Sequence, residues 1–241
     1  MPMRPLRIVL ATLALVLLAG VSAWLWYQRY HPDRHRYPLR GVDVSHHQGA
    51  IDWPAVAHGD VAFAYIKASE GADNRDPAFL DNWRRARAAG LAVGAYHYFT
   101  LCRSGGAQAR NFLAAVPHEA DALPPVVDLE FGGNCGLRPD GPTFRAQLTA
   151  FLAPVEAREG KAAIFYLTPE FLAAYGDSLP SRPIWRRSIA LEPGDDAPWI
   201  YWQFHNRGHA TGVAGPVDLN VFNGNRAALQ RLTRSNPPAK P

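Results

Sequence analysis

The sequence has only two cysteines, Cys102 and Cys135, among its 241 residues. Two thiols are too few to hold a metal ion by themselves, so a cysteine-based zinc site is excluded. In a protein that leaves the cytoplasm, the same two residues can form a disulfide. The other interpretation is two separate thiols, and the positions of the predicted strands, described below, favour the disulfide.

A dense run of lysine and arginine with interleaved aromatic residues is also missing, although the formal net charge is +4 and the isoelectric point is near 9.2. Its absence argues against nucleic acid as a partner. There is no glycine-rich phosphate loop, which argues against a nucleotide-binding sheet. The mildly basic balance suits an anionic polymer or a membrane face. With 48% hydrophobic residues, the chain can bury a sizeable core.

Charged residues are absent from a long apolar run between Ile8 and Gln28. At about 21 residues it is near the length that spans a bilayer as a helix. A cleaved signal peptide would use residues 21–23 as its small-residue cleavage site. An uncleaved anchor would place Trp24, Trp26 and Tyr27 at the membrane interface. The length and the aromatic residues favour the anchor, and both interpretations place the remainder outside the cytoplasm.

From Gly41 onward, short apolar runs alternate with segments of helical periodicity. Asp76 and Pro77 are typical of a helix start, and Gly90 of a helix end. Strands that alternate with helices predict a parallel sheet, so the fold class is α/β: an irregular TIM-like β/α barrel of about eight strands with fewer helices. A doubly wound open sheet is the alternative. The predicted strands are 41–47, 61–71, 91–99, 124–130, 161–168, 182–190, 198–204 and 216–222, and the predicted helices are 76–90, 107–116, 143–159, 168–176 and 226–234.

These patterns divide the chain into four parts. Residues 1–28 are predicted to be the signal-anchor or transmembrane segment, and residues 29–40, which are polar and contain proline, a linker. The barrel is predicted over 41–234, and 235–241 as a disordered tail. Cys102 and Cys135 fall just beyond the third and fourth strands, which are neighbours in this scheme, so a disulfide would brace the rim of the barrel.

Polar residues cluster at one end of the predicted strands. In a parallel barrel the carboxyl ends of the strands share one face, and active sites lie on that face. We therefore expect these side chains to line a single cleft. They are Asp43 and His46, Lys67 and Glu70, Tyr96 and Tyr98, Asp128 and Glu130, Tyr166, Trp202 and Gln203, and Asp218.

Asp128 and Glu130 end the apolar run PPVVDLE. Strand alternation points residues i and i+2 to the same face, so the two carboxyl groups lie close together. Two like charges held that close raise the pKa of one of the two carboxyl groups. Glycoside hydrolysis requires a protonated acid and a second carboxylate close to it, and aromatic faces nearby can bind the sugar rings.

Five segments together resemble the family 25 glycoside hydrolases, the lysozymes of the Chalaropsis type. They are GVDVSHHQGAIDW, FAYIKASEG, VGAYHYF, PVVDLE and VDLNVF, and the resemblance covers about residues 41–225. It implies an irregular barrel and cleavage of the β-1,4 bond between N-acetylmuramic acid and N-acetylglucosamine in peptidoglycan. Peptidoglycan and, through the N-terminal helix, the membrane are the expected partners. Neither a cofactor nor a metal is expected, and the protein is expected to be a monomer.

Matched residue by residue, the resemblance implies roles for several positions. Glu130 corresponds to the general acid, Asp128 to its paired carboxylate, and Asp43 and Asp218 to two further aspartates of the cleft. Net retention of configuration is implied. The second step would use either an aspartate or the substrate's own acetamido group, and the same-side placement of Asp128 and Glu130 favours the acetamido group. The aromatic positions lining the sugar site correspond to Tyr96, Tyr166 and Trp202.

Some assignments stay open on the sequence alone. Lys67 and Glu70 would contact sugar or form an ion pair with each other. The sixth predicted strand, PIWRRSIALEP, lacks the aromatic, near-neutral pattern expected there. A non-catalytic peptidoglycan-binding module on the same barrel is the competing function, although the four carboxylates argue against it. A metal-dependent polysaccharide deacetylase is a weaker one, because the convergent His/Asp ligand set is missing.

Overall fold

The computed structural model describes residues 3–194 and 198–234, and the predicted tail at 235–241 lies outside the described residues. The chain divides into two compact units, residues 1–31 and residues 32–241. The first unit contains helix α1, Met3–Arg29. Its segment Arg7–Arg29 is long and apolar enough to cross a membrane, a criterion that a signal sequence also meets.

The second unit is built on one sheet. Most of its strands are buried in continuous runs, as expected where both faces of a largely parallel sheet are covered. The bounds are β1 Leu39–Val44, β2 Val61–Glu70, β3 Asn74–Arg75, β4 Ala92–Tyr98, β5 Val126–Leu129, β6 Ile164–Leu167, β7 Ile184–Arg187, β8 Tyr201–Gly208 and β9 Val217–Phe222.

Within the described residues, six helices surround this sheet, and five of them follow a residue typical of a helix N-cap. Asp140 accepts a hydrogen bond from the backbone N–H of Thr143 at 2.7 Å, and Gly160 ends the same helix with a φ of 62°. The bounds are α2 Trp53–His58, α3 Phe79–Ala88, α4 Gly105–Ala115, α5 Gly141–Glu159, α6 Pro169–Tyr175 and α7 Arg226–Leu232.

The sheet closes into a barrel of eight strands, which confirms the predicted fold class. The order is β1-β9-β8-β7-β6-β5-β4-β2, and β1 pairs with β2 to close the ring, while β3 is a short addition at β2. The expectation of an all-parallel sheet is wrong for β9, which is antiparallel to both β1 and β8. Residues 209–216, which join β8 to β9 and are all described, contain no helix, and antiparallel neighbours can be joined by a short connection, whereas parallel neighbours need a longer crossover.

Aromatic side chains fill the barrel below its open end. Phe63, Tyr65, Trp185 and Tyr201 belong to one buried cluster, with Tyr65 and Trp185 centroids 5.0 Å apart. Gly94 makes room for this packing, since a Cβ there would lie 2.2 Å from the Tyr65 ring. The interior is therefore a packed core and not a pore, and any ligand must bind at one end.

The predicted helix start at Asp76 is shifted in the structure. Helix α3 begins at Phe79, while the Asp76 carboxylate accepts hydrogen bonds from the Ala78 N–H and the His46 N–H, both at 2.9 Å. Helix α2 was not predicted, because its six residues are too few to show periodicity. Asp52, which caps it, was the available signal.

Much of the predicted linker packs on the barrel. Tyr37 is 2% exposed and its hydroxyl donates to Glu192 at 2.9 Å. The buried Arg40 donates to the Pro32 carbonyl at 2.6 Å. Strand β1 begins at Leu39, two residues before the predicted start of the barrel. Residues 32–38 are thus part of the second unit.

Cys102 and Cys135 form the predicted disulfide, which joins the loops that follow β4 and β5. The bond closes a loop with a sequence separation of 33 residues.

The loop-entropy model predicts that replacing both cysteines by serine lowers the free energy of unfolding by about 3–4 kcal/mol. Urea denaturation of the variant, beside reduced wild-type protein as control, measures this loss. A change below about 1 kcal/mol would contradict the prediction.

Candidate active site

A cleft of about 470 Å³ opens at the barrel end where the parallel strands have their carboxyl termini. The structure brings ten of the twelve predicted site residues to this cleft and leaves Trp202 and His46 out. The ten are Asp43, Lys67, Glu70, Tyr96, Tyr98, Asp128, Glu130, Tyr166, Gln203 and Asp218.

Asp128 and Glu130 lie on the same side of the chain, as alternation predicts. The intervening Leu129 is fully buried on the other side. The loop carrying Glu130 is held by Asn134, whose side-chain amide donates to the carbonyls of Glu130 at 3.0 Å and Phe99 at 2.9 Å. These contacts fix the backbone of Glu130 and leave its carboxyl group in the cleft.

The acid pair holds protons more tightly than ordinary carboxyl groups do. Burial, and then the charge of Glu130, raise the pKa of Asp128 well above its usual range. Burial also raises the pKa of Glu130, with Arg187 opposing that rise. Within residues 3–194 and 198–234, no group hydrogen-bonds to Asp128 Oδ1, although this atom is buried. The pair is therefore suited to share a proton and to accept a donor from a ligand.

Asp43 is held by a network of hydrogen bonds that spans five strands. Its Oδ2 accepts from Asn220 Nδ2 at 2.7 Å and from Gln203 Nε2 at 3.2 Å. Trp185 Nε1 donates to Asn220 Oδ1 at 3.0 Å, and Tyr166 donates to Gln203 Oε1 at 2.9 Å. Because an indole N–H can only donate, it turns the oxygen of Asn220 toward itself and the amide N–H toward Asp43.

Asp218 reaches the cleft because β9 runs antiparallel. Asp218 pairs with Asp43 in the antiparallel ladder, so the start of β9 lies beside the end of β1. Burial, and then the charge of Asp43, raise the pKa of Asp218 to about 9. Asp218 therefore carries the proton of the hydrogen bond that joins the two carboxyl groups, while the amide donors stabilise the charge on Asp43.

The raised pKa of Asp218 predicts a pH-dependent stability. Between the unfolded value near 3.8 and about 9, the folded protein binds a proton that the unfolded chain has lost. This contribution is complete below pH 4 and is lost as the pH rises toward 9. Asp218→Asn, a neutral isostere, removes that loss. The free energy of unfolding of the variant, relative to that of wild type, should therefore rise by roughly 1–3 kcal/mol as the pH increases from 5 to 8.

Urea unfolding of wild type and Asp218→Asn at pH 5 to 9 measures this difference. Asp81→Asn is the matched control, since the Asp81 side chain is 68% exposed on α3. Parallel pH profiles for wild type and Asp218→Asn would contradict the prediction.

Lys67 and Glu70 form an ion pair at 2.6 Å on the wall that β2 contributes. The Lys67 ammonium also lies 5.1 Å from the ring centre of Tyr98, and the Tyr98 hydroxyl donates to the Gly132 carbonyl at 2.6 Å. The ion-pair interpretation is confirmed, and both residues still line the cleft. This wall is therefore electrically balanced and tied to the loop after β5.

Trp202 and His46 lie elsewhere. The Trp202 indole is 1% exposed, packs edge-on against Tyr37 and donates to the Ser188 carbonyl at 2.6 Å. Since Gln203 points into the cleft, alternation turns its neighbour Trp202 to the outside of the barrel. His46 pairs with Asp76 at 2.8 Å and is not among the residues that line the cleft.

Several cleft residues were missed on the sequence. Trp185 and Arg187 of β7 are two apart and share the cleft face, so alternation was the available signal. His46 and His47 fall in the predicted strand 41–47, but β1 ends at Val44 and the two histidines lie in a 3₁₀ turn, His46–Gln48, with ring centres 4.0 Å apart. Ser45 and His47, polar residues at the end of the first predicted strand, also line the cleft, and the polar or aromatic residues that were missed are Gln48, Trp185, Arg187 and Asn206.

Comparisons with known proteins agree with this geometry. The family described as Glycosyl hydrolases family 25 matches residues 42–213. The YegX protein of Escherichia coli is 38% identical over 206 residues, covering 80% of this chain and 73% of that protein. Lysozyme M1 of Streptomyces globisporus is 32% identical over 213 residues, covering 82% of this chain and 72% of that protein.

A solved structure shares the fold. The family 25 glycosyl hydrolase of Bacillus anthracis superimposes with a TM-score of 0.77 at 36% identity, covering 86% of this chain and 97% of that chain. The family match spans most of the barrel, and the barrel presents its carboxylates in one cleft. The chain therefore belongs to glycosyl hydrolase family 25.

Proposed function

We propose that this glycoside hydrolase is a lysozyme that cleaves the β-1,4 bond between N-acetylmuramic acid and N-acetylglucosamine in peptidoglycan. The observation that supports it best is the buried pair Asp128 and Glu130 in the cleft of a family 25 barrel. A sugar-binding module has no use for carboxyl groups whose pKa values are raised by burial. Lysozyme M1, a relative over most of the chain, carries this activity in its name.

Glu130 acts in this proposal as the general acid. Its raised pKa keeps a proton available for the leaving glycosidic oxygen, as that role requires. After the leaving sugar departs, the same carboxylate takes a proton from the attacking water. Its placement beside Asp128, rather than across the cleft from it, leaves the opposite face of the sugar free.

Asp128 orients the substrate's acetamido group. Its buried Oδ1 lacks a donor within the described part of the chain, and the acetamido N–H can supply one. That hydrogen bond favours the charged form of Asp128 and shifts the shared proton to Glu130. The acetamido oxygen then attacks the anomeric carbon, and the later attack of water gives net retention of configuration.

Asp43 is a weaker candidate for the nucleophile. Two amide groups and the proton of Asp218 stabilise its charge, which lowers its tendency to attack carbon. Its network instead makes it a fixed negative charge near the site, able to stabilise the positive sugar ring in the transition state. Asp218 remains the proton donor to Asp43.

Mass spectrometry of peptidoglycan fragments released by the full chain tests this function. We expect new reducing ends on N-acetylmuramic acid, the β anomer in freshly formed product, and no effect of EDTA. Reducing ends on N-acetylglucosamine, release of acetate, or binding without any cleavage would each contradict the proposal. The last two results would indicate a deacetylase and a binding module, respectively.

We further propose that the barrel acts outside the cytoplasm and that α1 is retained as a membrane anchor. The family acts on cell-wall glycan, and residues 7–29 have the length and apolar character of a membrane span. N-terminal sequencing of the mature protein from cell fractions separates the alternatives. A soluble protein that starts near residue 24 would contradict the anchor and leave the export intact.

A further inference from the structure

Two cations line the cleft in the part of the chain that the structure describes, Lys67 on β2 and Arg187 on β7. In the ring of eight strands, β2 and β7 are four strands apart in either direction, so the two residues lie on opposite walls. Lys67 is neutralised by Glu70 at 2.6 Å. The wall that carries Arg187 is therefore the one with an excess of positive charge.

Arg187 is half-buried at the last residue of β7. Among residues 3–194 and 198–234, none forms a hydrogen bond or an ion pair with its guanidinium group, whereas Arg182 binds Glu156 at 2.6 Å and Arg36 binds Glu192 at 2.6 Å. Its charge is felt in the cleft, since it lowers the pKa values of Asp43, Glu130 and Asp218 against the larger effect of burial.

A half-buried guanidinium group whose N–H donors have no partner among the described residues is suited to a carboxylate, which it can bind through two parallel hydrogen bonds. The cleft's own carboxyl groups do not satisfy it. Asp218 carries a proton, Asp43 is bound by amides, and burial favours protons on Asp128 and Glu130. An anionic ligand would be repelled by the remaining acids unless a cation faced it.

We propose that Arg187 is a specificity-determining residue that binds a carboxylate of the glycan strand. This inference rests on the proposed function and narrows its substrate class. N-acetylmuramic acid carries a lactyl group, whose carboxylate is free in peptide-free strands and amide-linked in strands that keep their stem peptides. Stem peptides carry carboxylates of their own, so the ligand group has two sources.

Three substrates and two variants separate these sources. The substrates are peptide-free glycan strands, the same strands with their lactyl carboxylates converted to methylamides, and strands that keep their peptides. Arg187→Gln removes the charge, and Arg187→Lys keeps the charge but not the paired donors. Reducing-end release gives kcat and KM, and calorimetry compares strand binding by Glu130→Gln with binding by the double variant Glu130→Gln/Arg187→Gln.

We expect Arg187→Gln to reduce kcat/KM about tenfold more on strands with the recognised carboxylate than on the methylamide strands, mainly through KM, because any change in the pKa of Glu130 affects all substrates alike. Arg187→Lys should recover part of the loss. A loss confined to peptide-free strands assigns the lactyl carboxylate, and one confined to peptide-bearing strands assigns the stem peptide.

An equal loss on all three substrates, or no loss on any, would overturn the inference. The first result would mean that Arg187 only adjusts the catalytic acids, which a displaced pH profile of kcat would also show. If wild-type protein cleaves none of the substrates, the proposed function fails. The calorimetric comparison still decides the inference in that case, because it needs no turnover.

Discussion

Replacing Glu130 by glutamine is expected to reduce kcat on peptidoglycan by about 10²- to 10⁴-fold while glycan binding is retained. Glutamine keeps the size of the side chain but has no proton to give to the leaving oxygen. No hydrogen bond to the Glu130 carboxyl group is formed within the described residues, so the substitution breaks no structural contact. Single-turnover kinetics and a separate binding measurement distinguish lost chemistry from lost affinity.

The matched control for this substitution is Glu119→Gln. Glu119 lies in the loop before β5, at the barrel end away from the cleft, where Leu123 donates to the Val93 carbonyl near the start of β4. Its contact with Arg87 is a long surface pair at 3.8 Å. The control should keep wild-type turnover. Unchanged kcat in Glu130→Gln would remove Glu130 from the role of general acid.

The raised pKa of Glu130 also gives its pH dependence a sign. The general acid works in the protonated form, so kcat should fall as the pH rises through the pKa of Glu130, which lies above the ordinary glutamate value. Because Asp128 and Glu130 titrate together, the measured midpoint belongs to the pair. A rate that rises on the alkaline side would contradict this assignment.

Replacing Asp128 by asparagine is expected to reduce kcat by about 10²- to 10³-fold. The asparagine amide can present its N–H₂ group, instead of an oxygen, to the acetamido N–H, and it has no charge to stabilise the ring formed by acetamido attack. The buried Oδ1 of Asp128, which has no donor from residues 3–194 and 198–234, is the atom that this substitution affects. Folding should be unharmed, since burial disfavours the carboxylate.

Two controls make the Asp128 prediction specific. Asp121→Asn changes a side chain that is 74% exposed in the same far loop as Glu119, and it should keep wild-type kcat. Glycan strands without the N-acetyl group on muramic acid should resist wild-type enzyme, because they lack the attacking oxygen. Ready cleavage of such strands, with a covalent glycosyl-enzyme trapped on Asp43 or Asp218, would replace the acetamido mechanism by a nucleophilic one.

Local sequence patterns predicted most of the barrel. Each of its eight strands was predicted within a few residues, because apolar runs of this length and their turn residues report burial directly. Gly160 and Gly90 predicted helix ends because both require a positive φ, which they adopt at 62° and 86°. The cleft residues followed from strand ends, since the carboxyl ends of parallel strands converge whatever their sequence.

The alternation of side chains along a strand explains one correct and one wrong assignment to the cleft. It placed Asp128 and Glu130 together correctly, but adjacent residues of one strand, Trp202 and Gln203, were both assigned to the cleft. The structure keeps Gln203 and puts the Trp202 indole against Tyr37. Trp185 lines the cleft instead, and it belongs to the sixth predicted strand, which was thought to lack the expected aromatic pattern.

The sequence by itself determined the α/β class, the number of strands, the acid pair on one strand face and the apolar N-terminal helix, because each depends on residues close together in the chain. Only the tertiary structure decided that β9 runs antiparallel, so that Asp218 meets Asp43, that Trp185 and Asn220 orient Asp43, and that Arg187 faces the cleft without a carboxylate partner among the described residues. Those relations join strands far apart in sequence, and their energies come from burial and from hydrogen bonds that exist only after the barrel has closed.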